Sequence, residues 1–154
     1  MKKAAASGHA AHPREDPAER SRIMRAVKSR DTAPELAVRR ITHRMGFRFS
    51  LKRDDLPGKP DLALPKYRAA IFVHGCFWHG HRCRRGARVP KTNTGYWRAK
   101  VARNRSRDRR VAAELRARGW RVLAIYECQL RREGAVGKRI EKFLRAGPDR
   151  PDNR

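Results

Sequence analysis

Asp61-Leu62-Ala63-Leu64, a Pro65-Lys66-Tyr67-Arg68 turn and the run Ala69-Ala70-Ile71-Phe72-Val73 decide the fold. The first segment reads as a short strand. The second is continuously apolar and bounded by turn signals, as a central strand covered on both faces must be. Upstream, Phe47, Phe49 and Leu51 alternate with polar residues, which predicts a half-buried strand. Downstream, a helix is predicted from about Thr94 to Arg118, closed by Gly119. A second buried strand follows from Trp120 to Tyr126, and an amphipathic helix over Val136–Leu144. Two helix starts precede these strands. Asp16-Pro17 with Glu19 opens one that runs to Ser29. Thr32-Ala33-Pro34-Glu35 opens another that runs to Met45, with Leu36, Ala37, Ile41 and Met45 inward and Gly46 as its stop. The order α-α-β-β-β-α-β-α is that of an α/β fold, a mixed sheet flanked by helices.

The chain has 154 residues, enough for one domain with a tail at each end. We expect a basic arm over 1–16, a folded domain over 17–146 and a fraying tail over 147–154. Lys and Arg number 40 against 15 acids, a net charge of +25, so nucleic acid is the first partner to consider. There is no run of 18 apolar residues to cross a membrane, and Met1–Ala6 has no apolar region of a secretory signal. Three cysteines argue against a disulfide framework and for a reducing compartment, hence a cytoplasmic, nucleoid-associated protein. Charge alone does not separate a binder from an enzyme.

The densest chemistry is His74-Gly75-Cys76-Phe77-Trp78-His79-Gly80-His81-Arg82-Cys83. Cys76, His81 and Cys83 are donors that Zn²⁺ prefers, and Cys128 at the end of the last strand can complete a tetrahedron. Such a structural zinc site would explain how an irregular segment from 75 to 93 stays ordered. The bland alternative is scattered buried cysteines. His74 and His79 are left over as surface histidines, or as acid–base groups if an acid lies beside them.

Acids are scarce enough that each inward one is informative. Asp61 follows Pro60 and opens a strand, a place where a carboxylate can hold Mg²⁺ against a phosphate, although Pro-Asp also begins ordinary turns. On the long helix Asn104 and Asp108 share the stripe of Trp97, Val101, Val111 and Leu115, out of place unless they serve a site. Glu35 fits a capping box and needs no other role. Phe77 and Trp78, between presumed metal ligands, suit a wedge that unstacks a base step, or else they pack on the metal site. Trp97 is a core residue by its stripe, near enough to the helix start to reach DNA, and Met24 on the first helix is similar. Residues 98–110, Arg103 and Arg107 among them, hold seven bases and one acid and suit phosphate tracking.

From Arg20 to Leu144 the chain resembles the very short patch repair endonucleases, which nick DNA beside T:G mismatches left by deamination of 5-methylcytosine. The resemblance rests on Met24-Arg25-Ala26, Arg30-Asp31-Thr32, Leu56-Pro57-Gly58-Lys59-Pro60-Asp61 and His74-Gly75-Cys76-Phe77-Trp78-His79. It continues through Arg107-Asp108-Arg109-Arg110, Gly119-Trp120-Arg121-Val122-Leu123 and Glu127-Cys128. It implies a restriction-endonuclease-like αβββαβ core and catalytic Mg²⁺ held by Asp61. His79 would be the general base oriented by Asp108, with His74 assisting at the phosphate and Glu35 reaching the metal through water. It implies structural zinc on Cys76, His81, Cys83 and Cys128. Phe77, Trp78 and Trp97 would form the wedge beside the mismatch, with Met24 approaching from the other groove. The partner would be double-stranded DNA with a T:G mismatch, with mismatch-repair proteins beside it, and the enzyme a monomer.

One departure is Val73, where the family often has Thr. A metal bound through the main-chain carbonyl keeps that ligand with valine. The related restriction enzymes carry Glu-x-Lys on the third core strand, where this chain reads Ile-Phe-Val-His. Two other readings stand beside this one: a non-catalytic zinc protein that binds nucleic acid, and a restriction-type enzyme acting on intact duplex. A binder does not need Asp61 or His79. An intact-duplex reader does not need a wedge.

Overall fold

The computed structural model describes Ala18 and residues 30–147. The chain divides into two units, Met1–Asp31 and Thr32–Arg154, and the second carries everything that follows. Met24, the expected arm over 1–16 and residues 148–154 lie outside the described residues. So does the helix expected over 17–29, apart from Ala18, which is helical and exposed.

The second unit opens with α1, Ala33–Arg44, whose N-cap Thr32 accepts the Glu35 N–H at 3.4 Å as the T-x-x-E pattern predicts. Its buried face is Glu35, Val38, Ile41 and Thr42. The expected inward Leu36 is instead 46% exposed. Glu35 takes the position that an apolar count gives to its neighbour, which turns the stripe by one residue, about 100°. Thr42 is tolerated inside because its hydroxyl donates to the Val38 carbonyl at 2.7 Å. Gly46, at φ +89°, stops the helix.

Three strands follow: β1 Leu62–Leu64, β2 Ala69–His74 and β3 Arg121–Tyr126, in the order β1-β2-β3. β1 runs antiparallel to β2, with Leu62 opposite Ile71. β2 runs parallel to β3, with Ala69 opposite Arg121 and His74 opposite Tyr126. A parallel neighbour requires a long crossover, and α2, Thr94–Ala117, supplies it. A 3₁₀ turn, Glu127–Arg132, leads into α3, Glu133–Arg145.

Period-2 alternation sorts the sheet into two faces. Leu62, Leu64, Ile71, Leu123 and Ile125 join Val38 and Ile41 of α1 and Val136, Ile140 and Leu144 of α3. Ala63 and Ala70 face the other way, with Leu115 of α2, Leu56 and Trp120. The result is a mixed sheet between helices, as expected, but with two strands rather than three before the long helix, so the αβββαβ order is observed as αββαβα.

The strand predicted over 47–51 shrinks to one bridge, Ser50 to Ala63. Ala63 exchanges both of its backbone bonds with Ser50, at 2.7 and 3.0 Å. On a three-residue strand, Leu62 and Leu64 turn their groups toward the other edge, so β1 offers a partner only one residue. Pro65 and the positive φ of Lys52 (+56°) stop the pairing at either end. Phe47 is still buried in the core, while Leu51 is 40% exposed.

Candidate active site and metal centre

The chemistry gathers where β2 ends. Asp61 immediately precedes β1, and its Oδ2 accepts the Val73 N–H of β2 at 2.7 Å. Burial raises its pKa from 3.8 to about 6. The Val73 N–H and the Arg39 guanidinium oppose that rise, and the nearby Glu35 carboxylate adds to it. Glu35 is itself buried and pairs with Arg39 at 3.3 Å, with Arg39 one turn further along α1. The residue whose N–H the Thr32 cap accepts is thus also the acid beside Asp61.

His74, the last residue of β2, is buried and lies parallel to His79, ring centroids 3.8 Å apart at an interplanar angle of 3°. Burial, and next the neighbouring His79, push the His74 pKa down to about 4, so it is neutral at pH 7. His79 Nδ1 meets Asp108 Oδ2 of α2 at 2.6 Å. A carboxylate on Nδ1 fixes the tautomer and leaves Nε2 as the acceptor nitrogen. One turn earlier on α2, Asn104 donates to the Trp78 carbonyl at 2.9 Å. Two residues four apart on one helix therefore pin two successive residues of the loop. This accounts for both polar residues on the apolar stripe.

Cys76, His81, Cys83 and Cys128 bring their donor atoms within 4.8 Å of one another. A tetrahedral thiolate site with bonds of about 2.3 Å needs sulfur–sulfur edges of about 3.8 Å, so this donor set fits a structural Zn²⁺ with small adjustments. Cys76 is fully buried and its thiol is pushed up to about 12, chiefly by burial. The Cys83 thiol is pulled down to about 6, first by its hydrogen bond with His81 and then by the Gly86 N–H. A bound divalent cation would strip the protons from such a set.

Gly86 is the residue that sequence reading missed here. A Cβ on it would fall 2.0 Å from the His81 carbonyl oxygen and 2.8 Å from that of Cys76. Both obstacles are backbone, so no side chain can yield. Gly86→Ala is expected to lower the affinity of the cluster for zinc by roughly ten- to a hundredfold, measured by competition with a chelator. Unchanged affinity would show that the loop does not need this close approach.

Phe77, Trp78 and Trp97 form an aromatic cluster with centroids 5.1 to 5.9 Å apart, all three partly exposed. They pack on one another at the start of α2. Tyr96, which sequence reading left out, joins at 5.0 Å from Trp97 and is 42% exposed. The Lys100 ammonium lies 5.5 Å from the Trp78 ring. Arg103 and Arg107 are exposed on the outer side of α2.

Comparison with known proteins shows the family and the fold. The family described as DNA mismatch endonuclease Vsr matches residues 14–85. The type II nicking enzyme V.XorIIP of Xanthomonas oryzae pv. oryzae is 48% identical over 83% of this chain and 93% of its own length. The DNA mismatch endonuclease Vsr of Escherichia coli is 41% identical over 84% of this chain and 85% of its own. In fold, the chain is similar to the catalytic domain of the homing endonuclease I-Bth0305I, with a TM-score of 0.52 over 75% of this chain and 97% of that one, at 24% identity. Identity of this order across nearly the whole length of such relatives places the chain in the Vsr family of DNA mismatch endonucleases, and it is a nuclease.

Proposed function

We propose that this enzyme nicks one strand of duplex DNA on the 5′ side of the T in a T:G mismatch arising from 5-methylcytosine deamination, and so opens very short patch repair. The observation that carries the reading is the placement of three groups at the end of β2. Asp61 is bonded to Val73, His74 follows Val73 in the chain, and His74 stacks on a His79 that Asp108 orients. A non-catalytic binder has no use for a half-buried carboxylate bonded to the backbone beside an oriented imidazole.

Asp61 and the Val73 main-chain carbonyl would hold Mg²⁺. The donor chemistry fits, since Asp61 is a half-buried carboxylate whose charged form partial burial and the nearby Glu35 disfavour, so a cation would be welcome there. When bound, the ion would acidify water and offset charge on phosphorus. His79 Nε2 would take the proton of the attacking water, while Asp108 stabilises the imidazolium. Neutral His74 would donate toward the phosphate. Glu35, held by Arg39, would order water beside Asp61. Products would be a 5′-phosphate and a 3′-hydroxyl. Phe77, Trp78 and Trp97 would unstack the mismatched step, and Arg103 and Arg107 would track phosphates. Zn²⁺ on the Cys₃His cluster would keep the loop in place.

The test is a T:G duplex labelled on each strand in turn. The expected product is a single cut in the T strand, 5′ to the mismatched T, bearing a 5′-phosphate. Cutting of both strands of a fully matched duplex would instead favour a restriction-type activity.

A further inference from the structure

We infer that Tyr126 is a positioning residue that couples the metal-binding cluster to the histidine pair. It is the last residue of β3 and pairs with His74 across the parallel ladder. Its ring stacks on His81 of the Cys₃His cluster, at 4.1 Å and 22°. The same ring meets the His74 ring edge-on at 5.5 Å and 76°. His74 stacks on His79, and His79 bonds Asp108. A continuous run of rings thus joins a metal ligand to the base.

The decisive observation concerns His74. Its Nδ1 is buried and has no hydrogen-bond partner among the described residues. No bond at that nitrogen fixes how the ring is turned, so the rings packed around it contribute to its orientation. The rings around it are Tyr126, His79 and, at 6.0 Å, Phe72. Removing the Tyr126 ring frees His74 to rotate and takes away the surface against which His79 is aligned. A displacement of a fraction of an ångström at a catalytic group is enough to cost rate. The contacts involve the face and edge of the ring, so phenylalanine should serve in its place.

This inference rests on the reading of His79 as the base, and the experiment separates the two. Tyr126→Phe, Tyr126→Leu and Tyr126→Met are compared with the unmodified chain in zinc content, in kcat and KM on a T:G duplex, and in the far-downfield proton resonance of the His79–Asp108 bond. The expected result is one zinc per chain in all, with Tyr126→Phe within about twofold of wild type in every readout. Tyr126→Leu and Tyr126→Met should lose roughly tenfold or more in kcat at little changed KM, with the resonance shifted or lost. Wild-type kcat and resonance in Tyr126→Leu or Tyr126→Met would overturn the inference. So would loss of zinc or of folding in both, because the ring would then serve the metal centre alone. If the unmodified chain does not nick T:G duplexes, the functional reading falls, and the resonance alone decides the role of Tyr126.

Discussion

Asp61→Asn is expected to lose T:G nicking by roughly a thousandfold or more while the metal-free protein becomes harder to melt. Both effects come from one environment. The Asp61 pKa is raised from 3.8 to about 6, mainly by burial, so the fold penalises the charged form. An acid with a raised folded pKa binds its proton more tightly folded than unfolded. Stability therefore falls as pH rises from about 4 to about 6, and the deficit is complete above that. A shift of about two units corresponds to at most about 3 kcal/mol. Asparagine carries no charge, and its carbonyl can still accept the Val73 N–H. The melting temperature at pH 7 should rise by several degrees without Mg²⁺. In the wild type, nicking should fall as pH drops through about 6, and raising Mg²⁺ should move that limb to lower pH. Scanning calorimetry beside a nicking assay checks both. A variant that melts lower than wild type, or still nicks, contradicts the assignment.

Cys83→Ser should cost the fold itself. Residues 75–93 contain a few backbone turns, such as His81 N–H to the Cys76 carbonyl at 3.0 Å and Ala87 N–H to that of Cys83 at 2.9 Å. They contribute little to the apolar core beyond Cys76. A metal on Cys76, His81, Cys83 and Cys128 would tie this loop to the end of β3. Structural zinc is worth on the order of 10 kcal/mol in small domains at pH 7, comparable with the whole stability of a domain this size. Losing one thiolate should leave a protein that is poorly soluble, binds under a tenth of an equivalent of zinc and unfolds at a much lower temperature. Chelator should do the same to the wild type. A Cys83→Ser protein that is folded, zinc-free and as stable as wild type would show that the cluster is not a structural centre.

Much of the site was legible because its residues break local rules. Asn104 and Asp108 sit on an apolar stripe, and the structure gives each a loop partner, Trp78 and His79. Cys76, His81 and Cys83 stand out by their density, and Cys128 by its place at the end of the last strand. Their clustering is seen in the fold. Elsewhere local rules misled. The apolar stripe puts Leu36 inward, but Glu35, buried and paired with Arg39, takes the inward position instead. Phe47, Phe49 and Leu51 alternate like a strand, but pairing depends on how many edge groups β1 can offer, and Pro65 and the left-handed Lys52 limit it to one residue. Gly86 and Tyr126 were invisible because what constrains them is brought close only by folding. Whether Phe77 and Trp78 wedge or pack was open in the sequence. The structure places them in a partly exposed cluster, which is compatible with contact to DNA.

The most direct test of the central claim is the single-turnover nicking rate on a T:G duplex and on the matched T:A duplex of the same sequence, with Mg²⁺ and with chelator. The account predicts fast single-strand nicking only for T:G with Mg²⁺, the matched duplex being slower by at least about a hundredfold. Equal rates on T:G and T:A, or nicking that persists without a divalent ion, would contradict it.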